Sequence, residues 1–183
     1  MNDLVLIGGK LAIICLVAAL ALGIVNAITA PEIVRVKERQ LQAALDQVSI
    51  GGSIGEVIEV KSGAVDSYYP LNMSGGLGYV IKLIGIGYGG DMEILTSYRE
   101  SGKILAVTLM DNAETPGLGK EAERPQYMEM FVSHGGESDI PTSKQELETR
   151  EADAISGATI TFLGIGEALS AGERFVQSIR EAK

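Results

Sequence analysis

Apolar residues run without a charge from 11 to 30, and Leu, Ile, Val and Ala dominate the run. About 20 such residues, at roughly 1.5 Å of rise each, span the hydrocarbon core of a bilayer. The apolar character reaches back through Leu4-Val5-Leu6-Ile7, interrupted by Lys10, whose ammonium can snorkel to the interface. After Pro31 the pattern changes. Val34, Leu41, Leu45 and Val48 form a stripe with charges between them, which predicts an amphipathic helix opening at Pro31 and ending at Gly51-Gly52. Shorter apolar or alternating runs then predict strands at 57–60, 65–69, 79–86, 92–98 and 103–110. Gly75-Gly76-Leu77-Gly78 is expected to break the chain, and Glu100-Ser101-Gly102-Lys103 to form a hairpin turn. A short helix is expected at 125–132, then a polar surface loop with one helical turn over 135–150. Phe162, Ile165, Leu169, Val176 and Ile179 recur at helical steps and predict a long final helix.

Strands grouped ahead of a long helix predict an α+β domain, with helices packed on a mostly antiparallel sheet behind an N-terminal transmembrane helix. The expected division is an anchor at 1–30, a connecting helix at 31–50 and a domain at 51–183. A cleaved signal peptide competes with a retained anchor, because Val25-Asn26-Ala27 offers small residues at a cleavage point. The run is longer than a usual signal core and its N-terminal flank carries little positive charge, so a retained single-pass anchor is the reading adopted. Arg35, Lys37 and Arg39 outnumber Lys10, and by the positive-inside rule they place the C-terminal domain in the cytoplasm.

The formal net charge of −9 argues against a nucleic-acid surface. One cysteine, Cys15, permits no intramolecular disulfide; within the anchor it is expected to be a buried packing residue. One histidine, His134, excludes a His-rich metal site and is read as a loop residue. No Gly-x-Gly-x-x-Gly marks a strand-to-helix turn, and Gly117-Leu118-Gly119-Lys120 lacks the spacing of a Walker loop. No nucleophile–base pair for substrate turnover is evident.

Two stretches carry candidate chemistry. Asp153-Ala154-Ile155-Ser156-Gly157-Ala158-Thr159 opens the final helix. Asp153, Ser156 and Thr159 suit an N-cap, and a helix N-terminus also favours an anion. Gly157 and Ala158 keep the approach clear of large side chains. Upstream lies Glu114-Thr115-Pro116-Gly117-Leu118-Gly119, where Pro116-Gly117 fits a type II turn and Gly119 would let backbone approach a flat ligand. A third, weaker piece is Gly87-Tyr88-Gly89-Gly90-Asp91-Met92; Tyr88 would either lie near a ligand or cover the edge of the core.

Asp153-x-x-Ser156-Gly157-Ala158-Thr159 resembles the flavinylation motif of the FMN-binding domain family. This family includes the G subunit of the Rnf electron-transport complex and the C subunit of the sodium-translocating NADH:quinone reductase. Glu114 to Gly119 resembles its second hallmark and the glycine-rich turn its third, in the family's order and behind a single anchor. The chain length suits the G subunit better.

The resemblance implies that Thr159 is joined to the FMN phosphate as a phosphoester by a flavin transferase, Thr161 being nearby but not at the modified position. It implies cofactor contacts at Asp153, Ser156, Gly157, Ala158, Glu114, Thr115, Gly117, Leu118 and Gly119. Where the family often has a His shortly before the Glu, this chain has Asp111-Asn112-Ala113. The implied task is electron relay by covalent FMN within an Rnf-type ferredoxin:NAD complex, among other membrane and redox subunits. The flavin domain is implied to lie outside the cytoplasm, a placement adopted here against the basic residues. The alternatives are the quinone-reductase C subunit and an extracytoplasmic binding or assembly module that keeps the fold without redox work.

Overall fold

A computed structural model describes residues 2–147, 155 and 157–181, with backbone alone at 2–5 and 144. The chain divides into two compact units, 1–41 and 42–183. Helix α1 (Asn2–Ser49) starts in the first unit and ends in the second. It continues through Pro31, so the expected helix start is an interior position. Proline lacks the N–H that would bond the carbonyl of Ala27. Thr29 Oγ1, in the preceding turn, donates to the Val25 carbonyl at 2.8 Å. From Leu6 onward α1 is long and apolar enough to cross a membrane. Cys15, expected to be buried, is exposed on α1.

In the second unit α1 stops at Ser49, and Ile50 and Gly51 then turn the chain at positive φ (49° and 75°). Six antiparallel strands follow: β1 (Ser53–Ile54), β2 (Ile58–Ser62), β3 (Val65–Met73), β4 (Gly76–Ile86), β5 (Asp91–Arg99) and β6 (Ile104–Asp111). The sheet order is β1-β3-β4-β5-β6, with β2 pairing β3 beside β1. The expected break at 75–78 falls partly on the β3–β4 turn, which holds Gly75, and partly on the start of β4. Gly76 takes φ 120° at the turn, and Gly78 continues the strand because a Cβ there would press on the Tyr98 backbone. The expected hairpin turn is present: Gly102 has φ 92° and Arg99 N–H donates to Lys103 O at 2.8 Å.

Alternation along the central strands gives the sheet two apolar faces. Tyr79, Ile81 and Leu83 of β4 and Met92, Ile94 and Tyr98 of β5 point into the main core. The final helix, α3 (Thr159–Glu181), fills that core with Phe162, Ile165, Leu169 and Val176, all fully buried. A short α2 (Pro125–Glu129) adds Tyr127 and Met128. On the other face Leu71, Val80 and Leu95 are buried, as are Ala44, Leu45 and Val48 at the end of α1. There Thr108 Oγ1 faces Gln47 Oε1 at 3.4 Å. Single-turn 3₁₀ helices at Gly119–Glu123 and Lys144–Glu146 complete the described fold; the second is the helical turn expected in the polar loop.

Glycines let α3 approach the sheet closely. A Cβ on Gly164 would fall on the Ile86 carbonyl, and one on Gly85 would meet the Gly164 carbonyl at 2.9 Å. Further along, Gly172 leaves room for the Tyr98 ring, whose hydroxyl donates to Leu169 O at 2.7 Å. The near end of α3 is thereby brought to the β4–β5 turn. Gly164→Ala is expected to destabilise the domain by about 1–3 kcal/mol, the usual range for overpacking, because backbone rather than a flexible side chain opposes the new methyl. Denaturant unfolding of the detergent-solubilised chain measures this, and an unchanged midpoint would show that α3 does not rest on β4 at this point.

Candidate functional site

The β4–β5 turn is tight, with Gly87 N–H donating to Gly90 O at 2.8 Å and Gly90 at φ 123°. A Cβ on Gly89 would collide with the Ala113 carbonyl, so the segment after β6 lies directly on this turn. Asn112 fixes that segment. Its Oδ1 accepts the Glu114 N–H at 3.0 Å, an Asx turn, and its Nδ2 donates to Glu123 Oε1 at 2.9 Å. Glu114 is thereby turned inward and is only 4% exposed.

Both carboxyl oxygens of Glu114 are engaged. Oε1 accepts the Gly89 N–H at 3.1 Å, and Oε2 accepts the hydroxyl of Thr161 at 3.0 Å. Cβ atoms on Gly87 and Gly119 would fall on Oε1 and Oε2 respectively. Neither glycine has positive φ; each is required by the space the carboxyl occupies.

The chain then makes the expected turn over Thr115–Leu118. Leu118 N–H donates to Thr115 O at 3.2 Å, and Gly117 has φ 77°, as the third position of a type II turn requires. The 3₁₀ turn that follows was not foreseen; it places Gly119 against Glu114 and buries Ala122.

At the start of α3, Ala158 N–H donates to Ile155 O and the Ala158 carbonyl receives the Phe162 N–H at 3.0 Å. Ala158 thus sits at the N-cap and Thr159 is the first helical residue. The N–H groups of a first helical turn have no intrahelical acceptors and carry the positive end of the helix dipole. The two threonines of this turn differ in their surroundings: Thr159 is exposed, whereas Thr161 is 1% exposed and bonded to Glu114.

A cavity of about 540 Å³ opens between these segments. Glu114, Thr115, Leu118 and Gly119 form one side, and Gly157, Ala158 and Thr159 the other, with Ile160, Thr161 and Tyr88 completing the lining. A Cβ on Gly157, which has φ 89°, would press on Leu118, so the two sides meet there. Tyr88 is 76% exposed and lines the cavity. Gly117 shapes the loop but does not line the cavity. Asp153 and Ser156 lie outside the described residues. Sequence reasoning missed Asn112 and the function of Thr161; the one available signal was an Asn two residues ahead of Glu114, the spacing of an Asx turn.

Tyr127 of α2 stands close enough to feel Glu114. Its hydroxyl is buried and finds no hydrogen-bond partner among the described residues. Burial first, and the charge of Glu114 second, push its pKa above the ordinary 10.0.

Residues 87–172 match the family model described as an FMN-binding domain. The chain is 30% identical over 142 residues to the G subunit of the ion-translocating oxidoreductase complex of Methanosarcina acetivorans, covering 75% of this chain and 71% of that one. It is 26% identical to the G subunit of the proton-translocating ferredoxin:NAD(+) oxidoreductase complex of Clostridium ljungdahlii, covering 87% and 84% of the two chains. Among solved structures it resembles the C subunit of the Na(+)-translocating NADH-quinone reductase from Parabacteroides distasonis. That match has a TM-score of 0.53 and 22% identity, over 73% of this chain and 86% of the other, and so bears on the fold alone.

An acid whose folded pKa is raised stays protonated in the folded state while the unfolded chain ionises, so stability falls as pH rises above about 10. Tyr127→Phe removes both this ionisation and the unpartnered hydroxyl. It is expected to leave neutral-pH stability unchanged or raised by up to about 1 kcal/mol, and to make the alkaline decline shallower. Denaturant midpoints at neutral pH and above pH 10 would show it, and an equally steep decline in the variant would reject the assignment.

Proposed function

The chain belongs to the G-subunit family of ion-translocating oxidoreductase complexes, and from that membership we propose that it is the membrane-anchored, FMN-carrying electron-transfer subunit of an Rnf-type complex. The FMN is attached covalently at Thr159. One observation carries that assignment. Of the two threonines at the start of α3, Thr159 is an exposed residue lining the cavity, while Thr161 is buried with its hydroxyl on Glu114. Only the first can be reached by an enzyme that forms a phosphoester.

The residues fit the cofactor. The cavity is within the roughly 300–1,000 Å³ usual for small-molecule sites. The phosphate end would lie at the N-terminus of α3, where free N–H groups and the helix dipole favour an anion. Leu118, Ile160 and Ala158 offer apolar surface to the ring, and Gly119 and Gly157 keep the two sides clear of side chains. FMN supplies the redox chemistry; the protein supplies attachment, orientation and electrostatics. The reading is relay among redox subunits of the complex, with a flavin transferase acting during maturation. The α1 anchor would confine the flavin to the membrane surface and raise its effective concentration at neighbouring subunits.

Thr159→Ala is expected to abolish denaturation-resistant flavin while leaving the unfolding midpoint within about 0.5 kcal/mol of the parent, as for other surface substitutions. Intact mass and in-gel fluorescence after coexpression with a flavin transferase test this. A peptide map placing the flavin on Thr161 or Ser156 would sink the assignment.

The domain is expected outside the cytoplasm with the N-terminus inside, because long domains translocate largely regardless of flanking charges such as Arg35, Lys37 and Arg39. Protease added to intact cells with an accessible outer face should digest residues 42–183. Protection until the membrane is opened would reject this sidedness, and a mature N-terminus at Ile28 would show a cleaved signal instead of an anchor.

A further inference from the structure

We propose that Glu114 is the fixed negative charge that sets the redox preference of the flavin in this cavity, and that Gly89 and Thr161 position it. The proposal rests on the reading that FMN occupies the cavity from Thr159. The Glu114 side chain is almost wholly withdrawn from solvent yet lines the cavity. Its two oxygens lie within hydrogen-bond distance of a backbone N–H and of a hydroxyl, at 3.1 and 3.0 Å. Among the described residues no Lys or Arg pairs with it; the cations near it in sequence, Lys120 and Arg124, are turned to Glu123 and Glu121.

The local fold preserves this group. A methyl at Gly87 or Gly119 would occupy a carboxyl oxygen. An Asx turn from Asn112 aims the residue inward. A surface carboxylate that merely ended a strand would need none of these devices.

The chemical consequence follows from charge balance. A flavin that takes up two electrons and two protons stays neutral on the ring; with two electrons and one proton the ring gains one negative charge. A carboxylate that no Lys or Arg pairs among the described residues, in a wall shielded from water, opposes the second outcome and opposes electron arrival in general, since interactions there are weakly screened. Glu114 therefore holds the flavin potential low. This is separate from attachment, which requires only the Thr159 hydroxyl.

Glu114→Gln tests it. The amide keeps the shape: its oxygen can accept from Gly89, and its nitrogen can donate to Thr161 Oγ1. The expected result on the full-length flavinylated protein is a midpoint potential shifted to more positive values by spectroelectrochemical titration. A potential unchanged or more negative in a folded, fully flavinylated variant overturns the proposal. Intact mass is taken first on the unsubstituted chain; absence of flavin there would overturn the functional reading and is distinguishable from any potential shift. Should Glu114→Gln fail to fold, Thr161→Val and Thr161→Ser decide. Valine removes one donor, leaves the charge less compensated and should move the potential negative, while serine restores the donor and the parent potential. Indistinguishable potentials in those two variants would also overturn the proposal.

Discussion

Glu114 joins three segments that are far apart in the chain. Through Gly89 it holds the β4–β5 turn, through Thr161 the first turn of α3, and through its own backbone the loop from Asn112 to Gly119. These are the segments that enclose the cavity. A buried polar group left without partners costs roughly 1–3 kcal/mol, more when charged, so the three segments are not independent. Displacing any one exposes a defect in the other two. The turn, the loop and the helix start are tied together by this bond network as well as by the apolar core, to which Met92, Ala122 and Phe162 beside them contribute.

Close backbone approach makes this network possible. Hydrogen bonds of about 3 Å between a strand turn, a loop and a helix require main chains nearer than side chains normally allow. Gly85 and Gly164 bring α3 onto β4; Gly87, Gly89 and Gly119 make room for Glu114 and the Ala113 carbonyl. Only some of the glycines here serve a turn. Gly90, Gly117 and Gly157 have the positive φ that a bulkier residue resists, while Gly87, Gly89 and Gly119 do not. The second group is a matter of volume, and its members all surround one side chain.

That distinction explains what could and could not be read from sequence. The strands β3 to β6 and α3 were legible because alternation and helical spacing are local signals, and each periodic residue of α3 but Ile179 is fully buried. The type II turn at Pro116-Gly117 was legible for the same reason. Gly76 and Gly78 misled, because a glycine that admits a neighbouring backbone looks in sequence like one that breaks a strand. Pro31 misled similarly: its local rule marks a helix start, and a membrane-length helix overrides it. The two motifs that carry the site are well separated in the chain, and periodicity gives no hint that Thr161 meets Glu114. Long-range hydrogen bonds leave no local pattern, so their partners become visible only in the fold.

The unequal treatment of Thr159 and Thr161 shows how the fold divides labour within one helical turn. Residues two apart on a helix point in widely different directions. One side of this turn faces the sheet and the other the cavity mouth. Thr161, on the inner side, gives its hydroxyl to a buried acceptor, where a β-branched polar residue can satisfy both packing and hydrogen bonding. Thr159, on the outer side, is exposed at the N-terminal end of α3. A substituent on Thr159 can therefore be large and anionic without disturbing the bond that shapes the cavity. A substituent on Thr161 would have to break that bond before it could be accommodated. The same two side-chain hydroxyls, exchanged in place, would give a helix start that could be modified only at the expense of the site it serves.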